Sequence, residues 1–135
     1  MRKEKIRVLL IEPIEHPKAL RIKPTMQSFK KLVGADKSKH GGIEAKRLES
    51  NLYVVFNKDR FLTDFKANRR IGDDILVGNM LIVAIDEGRQ PTSLTDDQVS
   101  RYTLRFWNVG SFDDMDVVEA NLNTLFAKFL KDEEL

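Results

Sequence analysis

The sequence predicts an α+β fold: a mainly antiparallel or mixed sheet of about five to six strands, with one early helix and two C-terminal helices. Three observations carry that expectation. Short runs rich in branched and aromatic residues, separated by turn signals, recur between Lys5 and Ile85. The apolar spacing changes to a helical period beyond Ser93. Finally, 135 residues suit a single domain, long enough to bury roughly two-thirds of its unfolded surface, and no repeat, linker or low-complexity segment divides it.

Lys5 to Glu12 is apolar on both faces, Ile6, Val8 and Leu10 on one and Leu9 and Ile11 on the other, which is the pattern of a central strand. Glu12 to Pro17 (EPIEHP) reads as a turn, and Ala19 to Lys23 as the partner strand of an opening hairpin. Thr25 is placed to cap a helix whose stripe is Met26, Phe29, Leu32 and Val33, with Gly34 just past its end. A polar loop, Ala35 to Gly42, leads to three strand-like runs: IEAKRL, LYVVF and FLTDF. Met80 to Ile85 is the best candidate for a buried strand.

Thr95 and Gln98 have the spacing of a capping box, and Leu94 and Val99 that of a hydrophobic staple. Val99, Tyr102 and Phe106 continue the apolar face of this helix. A final helix is expected over Ser111 to Leu135, with Met115, Val118, Leu122, Leu125, Phe126 and Phe129 on one stripe. Its early acids, Asp113, Asp114, Asp116 and Glu119, suit the positive end of the helix dipole.

Composition excludes several chemistries. Hydrophobic content of 41% and charged content of 33% describe a soluble globular chain. Without cysteine there is no disulfide, thiolate zinc site, iron–sulfur cluster or cysteine nucleophile, which accords with a reducing cytoplasm. The apolar run Val8 to Ile11 is too short for a signal-peptide core, and nothing approaches a membrane span. The expected protein is therefore cytoplasmic, without a membrane role or cofactor. The formal net charge of +2 hides a division: residues 1–70 carry +10 and residues 71–135 carry −8. Such polarity suits a basic face for nucleic acid, complementary packing of the halves, or association of copies, but solvated charge on a small fold is the simpler reading.

Candidate chemistry is sparse. Ala35 to Gly42 lacks the glycine that a phosphate-binding loop needs before Lys37-Ser38, because Asp36 stands there. His16 lies near Glu12 and Glu15, as a carboxylate–histidine metal site would require, but an exposed turn histidine is the simpler reading. No serine-nucleophile elbow, HExxH helix or dinucleotide-binding glycine pattern occurs. Acid pairs at Asp73-Asp74, Asp86-Glu87, Asp96-Asp97 and Asp113-Asp114 read as solvated or helix-capping groups.

No catalytic or metal-ligating residue is assigned. The main candidate binding group is Asn68, Arg69, Arg70, Asp73 and Asp74, because arginine's planar fork suits phosphate or carboxylate. Phe61 and Phe65 upstream could stack bases. In the competing reading Arg69 and Arg70 pair with Asp73 or Asp74, Asn68 forms a turn, and Arg69 braces the sheet edge. Asn57, His40, Lys37 and Lys39 form a secondary set.

Five blocks in order, VLLIEP, SFKKLVG, VVFNKD, ANRRI and DILVGNMLIVAIDEG, followed by SLTDDQVSRYTLRF, span Val8 to Phe106. Their arrangement resembles a family of small domains of unknown function, number 3846, over roughly Lys5 to Phe106. Asn68-Arg69, Asp74-Ile75, Gly78 and Leu81-Ile82-Val83 match its pattern, whereas Ala35 to His40 looks inserted and Ser111 to Leu135 lies outside it. The resemblance implies carriage by phages, plasmids or integrated elements of Gram-positive bacteria, and implies no activity.

The expected function is that of a small non-enzymatic accessory protein acting through macromolecular contacts, with a protein partner or a second copy held through the C-terminal helix. The alternative is a DNA- or RNA-binding module using the basic half with Arg69 and Arg70. A third reading is a small-molecule or phosphoryl enzyme with an Asn-Arg/Asp site.

Overall fold

A computed structural model describes residues 4–37, 42–58 and 66–109. The chain opens with strand β1 (Ile6–Ile11), strand β2 (Lys18–Ile22) and helix α1 (Met26–Leu32), and a 3-10 turn spans Ala35–Lys37. Strands β3 (Ile43–Glu49), β4 (Leu52–Asn57), β5 (Ala67–Ile71), β6 (Asp74–Val77), β7 (Met80–Ile85) and β8 (Pro91–Thr92) follow, then helix α2 (Asp96–Arg105).

Six strands form one antiparallel sheet in the order β2-β1-β7-β4-β3, with β8 beside β7 on the flank that β1 also occupies. β7 sits in the middle because all but one of its residues are buried, so both faces need cover. The large sheet has the expected number of strands, and two further strands, β5 and β6, stand outside it. The buried strand expected to begin at Asp74-Ile75 is β6; its pairing with β5 in a hairpin that forms a second, separate sheet was not expected.

Strand alternation divides the interior into two layers. On one face Ile6, Val8, Leu10, Val55, Leu81 and Val83 pack against Phe29 and Val33 of the α1 segment. On the other, Leu9, Ile11, Val54, Phe56, Met80 and Ile82 pack against Ile71 and Leu76 of the hairpin and Tyr102 and Phe106 of the α2 segment. The large sheet is therefore the central layer between α1 and the hairpin–α2 layer.

Both helix starts follow the sequence. The Thr25 hydroxyl accepts from the Ser28 amide, and Gly34 after the helix has φ of 76°, the left-handed conformation that glycine tolerates. Thr95 and Gln98 complete the reciprocal capping box. Met26, expected on the buried stripe, is instead 56% exposed; α1 has only seven residues and buries Phe29 alone within its span. FLTDF and the final helix over Ser111 to Leu135 lie outside the described residues. No helix among the described residues is long and apolar enough to cross a membrane.

The β1–β2 turn stores strain. Glu15 N–H donates to the Glu12 carbonyl, and Ile14 has φ of 59°. With Pro13 before it, this is the third position of a turn that favours glycine. A branched side chain there costs about 1–2 kcal/mol, yet Ile14 is 63% exposed, so packing does not offset the strain. Ile14→Gly is expected to raise the free energy of unfolding by about 0.5–1 kcal/mol after glycine's own entropy cost. Urea denaturation checks this, and a loss of stability would contradict it.

Candidate functional site

The candidate group is organised by an irregularity in the small hairpin. Gly72 and Asp73 make its two-residue turn, with φ of 60° at Gly72 as the first position of a type II′ turn requires. Ala67 pairs with Val77 and Arg70 with Ile75, so Asn68 and Arg69 together face the single residue Leu76. This is a β-bulge, and it turns two adjacent side chains into the interior where a regular strand would bury only one. Asn68 is 0% and Arg69 4% exposed. Asn68 thus lies within a strand; the expected turn sits four residues later.

Both side chains are spent on backbone. Asn68 Nδ2 donates to the Ile11 carbonyl at 2.8 Å and to the Gly78 carbonyl at 2.8 Å. Its Oδ1 accepts from Arg69 Nη1 at 2.9 Å. Arg69 Nε donates to the Phe106 carbonyl at 3.0 Å, and Nη2 to the Glu15 carbonyl at 2.7 Å. One connected pair therefore ties the hairpin to the end of β1, the β1–β2 turn, the β6–β7 turn and the end of α2.

These Arg69 contacts are to carbonyl oxygens, which corrects the expectation of an Arg69 pairing with Asp73 or Asp74. Burial lowers the Arg69 pKa from its ordinary value, but a guanidinium stays charged in proteins. The Phe106 carbonyl, at the negative end of α2, is a favourable acceptor for it.

The remaining candidates are dispersed. Arg70 is exposed on β5 and has a partner of its own. Asp73 is exposed at the hairpin tip, and Asp74 lies 3.9 Å from Lys46 Nζ. Asn57 is buried, with Nδ2 3.5 Å from the Val33 carbonyl. Lys37 ends the 3-10 turn, while Lys39, His40, Phe61 and Phe65 lie outside the described residues. His16 Nδ1 is 2.8 Å from the Trp107 carbonyl, and its ring stacks on the Trp107 indole with centroids 3.8 Å apart. As the acceptor is a carbonyl, that nitrogen carries the proton. Among the described residues, no three His, Asp or Glu side chains gather as a metal site.

Two of the carbonyls that the Asn68–Arg69 pair holds, those of Glu15 and Gly78, belong to residues lining an open cleft of about 400 Å³. Its walls come from the Glu12–Glu15 turn, Val33 and Gly34 after α1, Lys66, and Gly78 and Asn79. Asn79 Nδ2 donates to the Leu32 carbonyl at 3.0 Å and so anchors the end of α1. Neither Ile14 nor Asn79 stood out in the sequence. The signal for Ile14 was a proline followed by a branched residue inside a turn; for Asn79 it was the glycine before it, which marks a chain reversal.

Residues 6–106 match the family described as Domain of unknown function (DUF3846). The chain belongs to the DUF3846 family. No curated protein and no solved structure matches it. The blocks that carry the DUF3846 likeness meet at the cleft: Glu12-Pro13, Val33-Gly34 and Gly78-Asn79 line it. Asn68-Arg69 holds its rim through Gly78 and Glu15, and Asn57 Nδ2 lies 3.5 Å from the Val33 carbonyl.

Proposed function

We propose that this DUF3846 protein is a small non-enzymatic accessory protein that acts through contacts with another protein, in the setting of a phage, plasmid or integrated element that the family resemblance implies. The observation that carries the reading is Ile14. It is an exposed branched side chain kept in a strained backbone conformation, at the rim of the cleft, by a turn whose carbonyl Arg69 holds. Strain at an exposed apolar residue is stability forgone, and such strain concentrates at binding surfaces. Trp107 adds a second apolar group, 47% exposed and fixed by its stack on His16, two residues from Ile14. Large aromatic side chains held rigid in this way are favoured anchors in protein interfaces.

Two further observations bear on the other readings. The polar atoms of Asn68 and Arg69 are engaged by the fold itself, which disfavours an enzyme built on them. With Arg69 buried, nucleic-acid binding by Arg69 and Arg70 together loses its main contact.

A photo-reactive phenylalanine placed at Ile14, in cells that express the protein naturally, should give a discrete protein adduct. The same probe at Ser100, exposed on α2, should not give it, and Trp107→Ala should reduce its yield at least about fivefold, a loss of roughly 1 kcal/mol. Identical adducts from both positions, or none from Ile14, would overturn the proposal.

A further inference from the structure

The far end of the β1–β2 ribbon carries a charge arrangement that the Ile14 surface does not use. Arg7 on β1 stands directly opposite Arg21 on β2. Like charges in that relation destabilise a sheet. The period of two places Lys5 on the face of Arg7, and Lys23 on the face of Arg21. Four cations thus form a block, with steps of about 6.6 Å along each strand and about 5 Å between strands.

Among the described residues, little neutralises this block. Arg7 is answered by Asp96 Oδ1 at 2.7 Å and by the Leu94 carbonyl. Lys5, Arg21 and Lys23 have no carboxylate within ion-pair distance among the described residues, and all three are exposed. By contrast, Lys18 pairs with Glu12, Lys46 with Asp74, and Arg101 with Glu49 and Asp97. From His16 to Ala35 the chain contains no acidic residue. β2 is also the edge of the sheet, so nothing in the large sheet flanks this block on that side.

We propose that this face binds the phosphate backbone of duplex nucleic acid, independently of base sequence. A protein partner would need an apolar centre, and none of the exposed large apolar residues, Ile14, Met26, Leu104, Trp107 and Val109, is a member of the block. A single strand would seek aromatic stacking, and the block has no aromatic side chain. A regular array of cations with small Ala19 beside it fits a regularly charged rod and reads no bases. Ile14 lies at the opposite end of the ribbon, so this surface stands or falls separately from the protein-contact reading.

The test is fluorescence anisotropy with a labelled 20-base-pair duplex at 50 and 200 mM salt, on the full chain. Affinity should fall about 100-fold between the two salts and vary little with duplex sequence. Arg21→Ala/Lys23→Ala should weaken binding at least about tenfold at 50 mM and flatten the salt dependence by about two counterions. Because it removes a repulsive pair, this variant should melt at or above the wild-type temperature. The charge-matched Lys31→Ala/Lys58→Ala should change affinity less than about threefold, since both residues lie outside the block. No binding at 50 mM, equal losses in the two double variants, or displacement by poly-glutamate as effective as by unlabelled duplex would each overturn the proposal.

Discussion

Arg69→Ala should lower the free energy of unfolding by about 3 kcal/mol and the melting temperature by about 10 °C. The loss has a definite source. Truncation leaves the Phe106 carbonyl and Asn68 Oδ1 without their donor in the buried interior, and frees the Glu15 carbonyl at its part-buried edge. Each hydrogen bond to a charged group contributes about 1.5–3 kcal/mol, and relief from burying the charge offsets part of the total. Arg69→Lys should recover less than about 1 kcal/mol, because one ammonium cannot span acceptors on three segments. Thermal and urea denaturation of the three proteins measure this directly. An Arg69→Ala protein as stable as wild type would mean that the guanidinium does not join the α2 end to the β1–β2 turn.

Asn68→Ala should be nearly as costly, about 2–4 kcal/mol, since it strips a shared donor from the Ile11 and Gly78 carbonyls and leaves Arg69 Nη1 only the long 3.5 Å contact to the backbone carbonyl of residue 68. The two residues act as one unit. The double variant should therefore lose less than the sum of the single losses, with a coupling of about 1 kcal/mol or more. Additive losses in the four-protein urea cycle would show two independent contacts. The cost should also appear locally. If the pair fixes the cleft, amides at Gly78 and Asn79 should lose hydrogen-exchange protection in both single variants.

Much of the scaffold was legible because its cause is local. β7 was visible as an uninterrupted apolar run and β1 as an apolar run broken only by Arg7, and α2 was bounded by a capping box that needs only Thr95 and Gln98 at the right spacing. The hairpin was harder. Period-two alternation assigns Asn68 and Arg69 to opposite faces, so no pattern of polarity announces a bulge that buries both. The partners of Arg69 compound the difficulty: they are backbone carbonyls 37 and 54 residues away, and a carbonyl leaves no mark in the sequence. Asp73 and Asp74, the nearby acids, were the visible partners and not the ones used. Met26 fits the helical stripe by spacing, yet a seven-residue helix cannot cover a five-strand width, so its first turn projects beyond the core.

The same reasoning separates stability from use in this fold. Asn68, Arg69 and Asn79 hold turns in place, and Ile14 occupies the strained position those turns create. At the other end of the ribbon, Arg7 and Arg21 face each other at a cost that an anionic partner would relieve. Both features lower stability where the surface is exposed. Substitutions that stabilise the isolated chain at Ile14 or Arg21 are therefore expected to weaken its contacts.

The internal position of Arg69 is tested most directly by hydrogen exchange at its Nε, observed by NMR beside the exposed Arg21 Nε as reference. With Arg69 Nε held on the Phe106 carbonyl, its proton should exchange at least about 100-fold more slowly than that of Arg21. Exchange at the Arg21 rate would place the guanidinium in solvent, and the bulge would then present a free arginine to a ligand instead of bracing the fold.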